Sequence, residues 1–327
     1  MKGGEFLFER VLPRYALLIA LCLVLIVLAV IEPALFSFRH FRNVLVTAAP
    51  LMLLSLPFTL CVRSGFTDLS FSRNAALTGV IAASLSQTPE ADRMFAALPF
   101  VPVLVLAMIL GAGICAAGSL FSRRYRVSAL FSGALTALFL QGLLKVYLSR
   151  PDEPDRVLRQ FTQTFVRFGG ASIGGDPVFS LPMALVWTII IAVVLILFSP
   201  RLSAAKPLYL AMAVGAVYGI AGTMAAAQTI ALDAHFFMGS GLTALAGMLA
   251  GGTTFFSSPE QRHTPRAIRL SLALSIFGTW LCTALIYGID FIVGRSGLAA
   301  CIQVVIIAGG CLLGKYLPAA FKEKTWL

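Results

Sequence analysis

The sequence predicts an all-α membrane protein with about ten transmembrane helices, and three observations support this: composition, the lengths of the apolar runs, and the positions of the charges. Hydrophobic residues make up 59% of the 327 residues and charged residues only 12%, about half the charged share of a typical soluble domain. A bilayer crossing takes about 20 residues. The whole chain, residues 1–327, is therefore predicted to form a single transmembrane domain.

Ten apolar segments are predicted to span the bilayer, although the third is short for a full crossing. The apolar run that follows the charged N-terminal segment is longer than the core of a signal peptide, and no small-x-small cleavage site follows it. We therefore expect it to remain as the first span. The predicted spans are 15–36, 44–62, 74–88, 95–122, 127–148, 180–199, 207–228, 236–256, 267–292 and 297–318.

The net charge of +11 is explained by membrane topology rather than by nucleic-acid binding. The charges lie in short runs between apolar stretches and do not form one basic face. With both termini in the cytoplasm, the inner side receives most of the Lys and Arg residues, as the positive-inside rule requires. The predicted cytoplasmic loops are 123–126, 200–206 and 257–266, and the long external loop is 149–179.

The external loop contains a candidate amphipathic helix that begins near Phe161–Phe165, followed by two glycine pairs typical of turns. Two interpretations of this loop remain open. It is either a docking surface for an external partner or a solvated connection between two spans.

The polar stretch 63–73 interrupts the apolar sequence between the second and third spans. An ionisable residue at membrane depth costs about 2.5–3.5 kcal/mol on insertion scales, and non-helical backbone there must be buried in protein or line a wet cavity. The stretch is therefore either a surface loop or a re-entrant turn beside a substrate path. Asp68 is the best single candidate residue, and we expect it to brace the turn, paired with Arg63 or Arg73, rather than to contact solute.

Motifs for catalysis, cofactors and metals are not found in the sequence. The six cysteines lie in apolar segments without paired spacing, which favours small buried side chains over a disulfide framework or a zinc site. The glycines at 239–241 and 251–252 are not in the strand–turn–helix context of a phosphate cradle. His235 beside Asp233 is compatible with a proton relay, but a solvated loop is favoured at this predicted boundary. We therefore predict no enzyme activity, no cofactor and no metal.

Residues 60–79, which read LCVRSGFTDLSFSRNAALTG, resemble the permease subunits of the ribose, xylose and galactose class of ABC importers. Branched-chain amino-acid permeases are more distant members of that superfamily. The family signature there is GGIDLSVG-like. Asp68, Leu69 and Ser70 match its centre and Gly65 falls on its first glycine, whereas Phe66 and Ser72 replace its other two glycines.

Three further stretches resemble the family in the same order along the chain. Residues 241–254, GLTALAGMLAGGTT, are similar to an LxAIAAVVLGGTS-like stretch of the second half. Residues 218–228 resemble a glycine- and alanine-rich helix, and residues 32–43 resemble the family's approach to its first signature. The resemblance extends from about residue 15 to residue 318.

The resemblance implies a permease in the bacterial cytoplasmic (inner) membrane that imports a small polar solute, most commonly a sugar, with nucleosides or a flavin-like vitamin as the alternative. It implies a second permease chain, a cytoplasmic ATP-binding subunit and an external solute-binding protein as partners. The residues it implies for the translocation path or its gating turn are Gly65, Asp68, Ser70, Gly251, Gly252 and Thr253.

One departure from the family concerns the contact with the ATPase. Family members carry a helix-containing segment of roughly thirty residues after the sixth span, but only 200–206 separates the sixth and seventh spans here. Either the loop 257–266 has taken over this contact or a non-identical second permease supplies most of it, and the second alternative is favoured. The candidate coupling residues are Arg201, Lys206, Arg262 and Arg266.

Two functions from other classes remain as rivals. The first is an ion-coupled secondary transporter that uses Asp68, Asp233 and Asp290 as carriers and works without ATP. The second is an intramembrane enzyme or an assembly scaffold, which would need a catalytic pair facing one cavity.

Overall fold

The computed structural model describes residues 12–88, 99–149, 157–173, 180–229, 231–237, 239–253, 265–293 and 301–312. Within these ranges the chain is almost entirely helical. The helices are α1 (Leu12–Ile31), α2 (Phe38–Arg63), α3 (Phe71–Leu85), α4 (Phe100–Arg124), α5 (Ala129–Leu148), α6 (Gln163–Gly170), α7 (Met183–Ala204), α8 (Pro207–Gln228), α9 (Ser240–Ala250), α10 (Pro265–Val293) and α11 (Cys301–Leu312). A 3-10 turn at Pro33–Phe36 joins α1 to α2, and the two-residue strands β1 (Ser172–Ile173) and β2 (Leu181–Pro182) pair antiparallel before α7.

Six of these helices, α2, α4, α5, α7, α8 and α10, are long and apolar enough to cross a membrane. Shorter apolar helices are α9, α11 and the part of α1 from Ala16 to Ile31. Each of the ten predicted spans overlaps one α-helix of the structure, so the prediction of an all-α, multi-pass membrane protein is confirmed. The number of full crossings and the cytoplasmic position of both termini stay predictions.

The predicted boundaries were wrong at two places that affect the candidate site. The eighth span was expected over 236–256, but α9 covers only Ser240–Ala250, because Phe237 before it and Gly252 after it adopt left-handed backbone conformations with φ of 64° and 76°. The sixth span was expected to end before Pro200, but α7 continues through this proline to Ala204. Most of the predicted loop 257–266 lies outside the described residues.

The core of the bundle is built around α2 and α8. All side chains of α2 from Ala48 to Arg63 are buried, and α8 is buried on nearly every side from Val214 onward. By contrast, α4, α5 and α7 carry rows of exposed apolar side chains, such as Val101, Leu138 and Leu197 at 67%, 72% and 59% exposure. Apolar surface of this extent fits a lipid environment.

Small residues allow α8 to lie in backbone contact with two neighbouring helices. A β-carbon added to Gly215 would meet the backbone of Gly111 in α4, and one added to Gly222 would meet the backbone of Ala75 in α3. Such close approach is how helices associate in lipid, where apolar burial between helices gives little driving force. The position of α3 against α4 and α8 is therefore fixed by backbone contact.

The described part of the external loop is folded rather than freely solvated. The expected amphipathic helix is found as α6, which begins at Gln163 and buries Phe165 and Phe168. A β-carbon on Gly169 would lie only 2.6 Å from the carbonyl oxygen of Met224, so α6 packs tightly on the end of α8. Whether a partner docks on this surface stays a prediction.

Three loops meet beside α6 and form a small cap over the end of α3. The backbone nitrogen of Thr162 donates to the carbonyl oxygen of Ser86 (2.8 Å), and the backbone nitrogen of Thr88 donates to the carbonyl oxygen of Gln160 (2.8 Å). On its other side the same segment pairs with the α8–α9 loop, through reciprocal backbone hydrogen bonds between Leu158 and Leu232 of 2.8 and 3.0 Å. We call residues 86–88, 157–162 and 231–234 the loop cap.

Candidate functional site

The polar break between α2 and α3 begins with a glycine that ends α2. Gly65 has a φ of 78°, a left-handed conformation that glycine adopts without steric penalty. The nitrogen of Gly65 donates to the carbonyl of Val62 (3.2 Å), and the nitrogen of Phe66 donates to the carbonyl of Cys61 (2.9 Å). This pair of bonds is the Schellman motif, which satisfies the last carbonyls of a helix and reverses the chain. We call residues 64–70 the Asp68 turn.

Asp68 braces this turn from inside the protein. Its side chain is only 5% exposed, and Oδ1 accepts hydrogen bonds from the backbone nitrogen (2.8 Å) and the hydroxyl (2.6 Å) of Ser70. Ser70 immediately precedes α3, so the carboxylate holds the residue at which the new helix starts. The negative charge also faces the positive end of the α3 dipole.

The other oxygen of Asp68 connects the turn to α4. The thiol of Cys115 donates to Oδ2 of Asp68 (3.4 Å), and Nδ2 of Asn74 donates both to Cys115 Sγ (3.2 Å) and to the carbonyl oxygen of Gly111 (3.0 Å). All these polar groups are buried. The expected pairing with Arg73 is not found among the described contacts, and buried Nη1 of Arg73 has no hydrogen-bond partner there. Pairing with Arg63 stays a prediction.

The Asp68 turn lies beside α5 and well inside the bundle. A β-carbon on Gly133 of α5 would come within 2.5 Å of the Leu69 nitrogen and 3.1 Å of Asp68 Oδ1. Cys115 lies about 13 Å along the helix axis before the end of α4 at Arg124. The turn is therefore buried in the protein, as the re-entrant alternative requires, while its depth in a bilayer stays a prediction.

The start of α9 meets the start of α3 next to this turn. A β-carbon on Gly241 would lie 2.7 Å from both Cβ and Oγ of Ser72. With 15 and 11 residues, these helices extend only about 22 and 16 Å, less than the hydrocarbon core of about 30 Å. Two helices that are too short to cross therefore begin against each other inside the bundle. We call the contact of Ser72 with Gly241 the α3–α9 junction.

The second group of predicted path residues lies at the opposite end of α9. Gly251 packs on α10, where its β-carbon would lie 2.6 Å from the carbonyl oxygen of Leu274. A second Schellman motif follows, in which the nitrogen of Gly252 donates to the carbonyl oxygen of Leu249 (3.0 Å) and that of Thr253 to the carbonyl oxygen of Met248 (3.2 Å). Oγ1 of Thr253 is buried without a partner among the described residues. The structure brings Gly65, Asp68 and Ser70 together. The second group lies about 15 Å along α9 from the α3–α9 junction.

The three described candidate coupling residues lie at or next to helix ends, on the side predicted to face the cytoplasm. Arg201, Lys206 and Arg266 are exposed, and Arg262 lies outside the described residues. Because α7 runs to Ala204 and α8 begins at Pro207, only two residues connect these helices. The connection is even shorter than the sequence suggested, and it contains no coupling helix.

Sequence reasoning missed Asn74, Cys115 and Gly133 as parts of the site. Asn74 carried a usable signal, because an amide at the start of an apolar span needs a hydrogen-bond partner when it is buried. Cys115 had been assigned to the small buried hydrophobes, whereas its thiol donates to Asp68. Cys301, another of those six cysteines, is exposed on α11.

Comparison with known proteins gives one group of relatives. The chain is 26% identical over 174 residues to the ribose import permease protein RbsC of Escherichia coli strain K12, and the same values hold for RbsC of strains O6:H1 and O157:H7. The aligned region covers 53% of this chain and 50% of the relatives, so the chain spans about half the length of the curated relatives it matches. No protein-family model and no solved structure matches the chain. The resemblance to ribose-type ABC permeases that the motifs predicted is thus confirmed as a distant similarity to ribose import permeases.

Proposed function

We propose that this chain is a permease subunit of an ATP-driven importer for a small polar solute, most simply a sugar, in the bacterial inner membrane. The observation that carries the proposal is the similarity to a ribose import permease, in a chain whose signature residues form a buried, hydrogen-bonded break in the bundle. Such a subunit does no covalent chemistry. It needs two packings of the same helices, close in energy, that its partners favour in turn.

In this proposal the solute passes the α3–α9 junction. Short helices that begin inside a bundle place unpaired backbone donors at membrane depth, and such sites are where transporters bind polar solutes. Backbone contacts hold α3 on α8 at one side, while the Asp68 turn and the loop cap fix its two ends. Movement of α9 against this frame would open and close the path.

A separate ATP-binding subunit, an external solute-binding protein and a second permease chain complete the proposed importer. The two-residue connection between α7 and α8 supports a second chain that is not identical and that carries more of the contact with the ATPase. Arg201, Lys206, Arg262 and Arg266 remain candidates for this chain's share of that contact.

The rival ion-coupled transporter needs carboxylates along one route. Asp68 is buried in its turn, and Asp290 lies near the end of α10. Asp233 is exposed in the α8–α9 loop and accepts from the backbone nitrogen of His235 (3.0 Å).

Transport into vesicles tests the proposal. The vesicles contain the chain, its permease partner and the ATP-binding subunit, and the binding protein and radiolabelled pentose are supplied outside. They are expected to accumulate sugar only when ATP is enclosed. Accumulation by the chain alone, driven by a proton or sodium gradient, would overturn the proposal in favour of the rival.

A further inference from the structure

The tight turn between α4 and α5 presents a dense group of basic residues. Arg123 and Arg124 end α4, and Tyr125 and Arg126 follow directly. All four side chains are exposed, with Tyr125 at 66%. In the predicted orientation they face the cytoplasm. We call residues 123–126 the basic turn.

Arg126 holds an unfavourable backbone conformation within this turn. Its φ is 54°, in the left-handed region where a side chain is strained and glycine is not. Its backbone nitrogen donates to the carbonyl oxygen of Arg123 (3.4 Å), and the backbone nitrogen of Val127 donates to the carbonyl oxygen of Ser122 (3.0 Å). Arg126 therefore takes the place in a Schellman motif that glycine usually fills. Gly65 and Gly252 fill that place at the ends of α2 and α9. Among the described residues Gln160 and Phe237 share this conformation, but of the three only Arg126 carries a charge.

The basic turn is connected to the Asp68 turn through α5. The hydroxyl of Ser122 donates to the Val127 carbonyl across the turn (2.8 Å), and the hydroxyl of Ser132 in α5 donates to the Gly118 carbonyl in α4 (3.1 Å). The next residue of α5, Gly133, is the one in contact with Leu69 and Asp68. About one turn of α5 therefore connects the basic turn to the break before α3.

We propose that the basic turn docks an acidic surface of the cytoplasmic ATP-binding subunit and transmits its movement to the Asp68 turn. This inference rests on the proposed function and adds a contact that the short α7–α8 connection leaves open. Anionic lipid headgroups are the other partner for exposed arginines, but their attraction is diffuse and needs no fixed geometry. A strained, hydrogen-bonded turn that also presents a tyrosine suits a partner of fixed shape.

The test uses Arg126→Gly in the full complex, since this change removes the charge and also relieves the backbone. Arg123 and Arg124 remain to maintain membrane orientation. Gln160→Gly is the matched control, because Gln160 has the same kind of left-handed backbone (φ 61°). It lies in the loop cap, at the end of α3 that is remote from the Asp68 turn. Both variants should unfold at the wild-type temperature or above. Only Arg126→Gly should weaken binding of the ATP-binding subunit, by about fivefold or more, and Arg126→Lys should restore it.

Binding is measured in nanodiscs of phosphatidylcholine alone and with phosphatidylglycerol added. We expect Arg126→Gly to lose binding in both lipids. We also expect a photo-crosslinker at position 125 to react with the ATP-binding subunit, and one at the lipid-facing position 139 not to do so. An effect confined to phosphatidylglycerol would assign the turn to lipid and overturn this inference, as would wild-type binding by Arg126→Gly, while the proposed function would stand. If the wild-type chain and its permease partner bound no ATP-binding subunit, both proposals would fall.

Discussion

Gly133→Val is expected to abolish solute uptake while leaving the protein inserted in the membrane. The added side chain would collide with the backbone of Leu69 and with Oδ1 of Asp68, since even a β-carbon would come within 2.5 and 3.1 Å of them. Overpacking of this kind typically costs about 1–3 kcal/mol. The clash falls on backbone and on a hydrogen-bonded carboxylate rather than on a flexible side chain. The Asp68 turn must therefore shift, and ATP-driven uptake into vesicles measures the consequence.

Gly142→Val provides the matched control on the same helix. A β-carbon at Gly142 would have no heavy atom within 4 Å, so this substitution adds the same bulk to α5 without touching the turn. It is expected to leave uptake near the wild-type rate. Equal loss of uptake in both variants would mean that α5 is merely sensitive to β-branched residues, and the role assigned to the Asp68 turn would be wrong.

Asp68→Ala is expected to lower uptake on the order of tenfold with near-normal membrane insertion. Alanine leaves the buried nitrogen of Ser70 without the acceptor that now lies 2.8 Å away, and an unpaired buried donor costs about 1–3 kcal/mol. Because 1.4 kcal/mol corresponds to about a factor of ten, a loss of this size shifts the balance between two packings substantially. Uptake rates normalised to the amount of inserted protein measure the effect.

Two further aspartate variants sharpen this test. Asp68→Asn keeps an oxygen that can accept from Ser70 and should retain more uptake than Asp68→Ala. Asp233→Ala alters an exposed loop carboxylate and should behave like the wild type. Wild-type uptake by Asp68→Ala would remove Asp68 from the mechanism. A severe defect in Asp233→Ala would instead favour the ion-coupled rival.

The fold class and the burial of the Asp68 turn could be predicted from the sequence. Apolar runs of bilayer length leave few alternatives to transmembrane helices. An aspartate and hydroxyl residues between two such runs need partners inside the protein or contact with water. Both statements depend only on local sequence, and for that reason they survive comparison with the structure.

The contacts of the Asp68 turn with α4 and α5 could not be predicted, because they come from distant parts of the chain. The expectation named only arginines close in sequence, whereas Cys115 reaches the carboxylate from α4. The lack of a side chain at Gly133 matters only because α5 lies against Leu69. Similarly, Pro200 suggested a helix end, yet α7 continues past it, since membrane helices tolerate proline where neighbouring groups satisfy the freed carbonyl.

The most direct test of the central claim is labelling of Ser72→Cys with a membrane-impermeant maleimide, in a background where the exposed Cys301 is replaced by serine. If the solute path passes the α3–α9 junction, a cysteine at position 72 reacts from the aqueous phase, and its rate changes when ATP and solute are supplied. Phe139→Cys, at a lipid-facing position of α5 that is 68% exposed, should stay unreactive. A cysteine at position 72 that remains unreactive in every state would contradict the account.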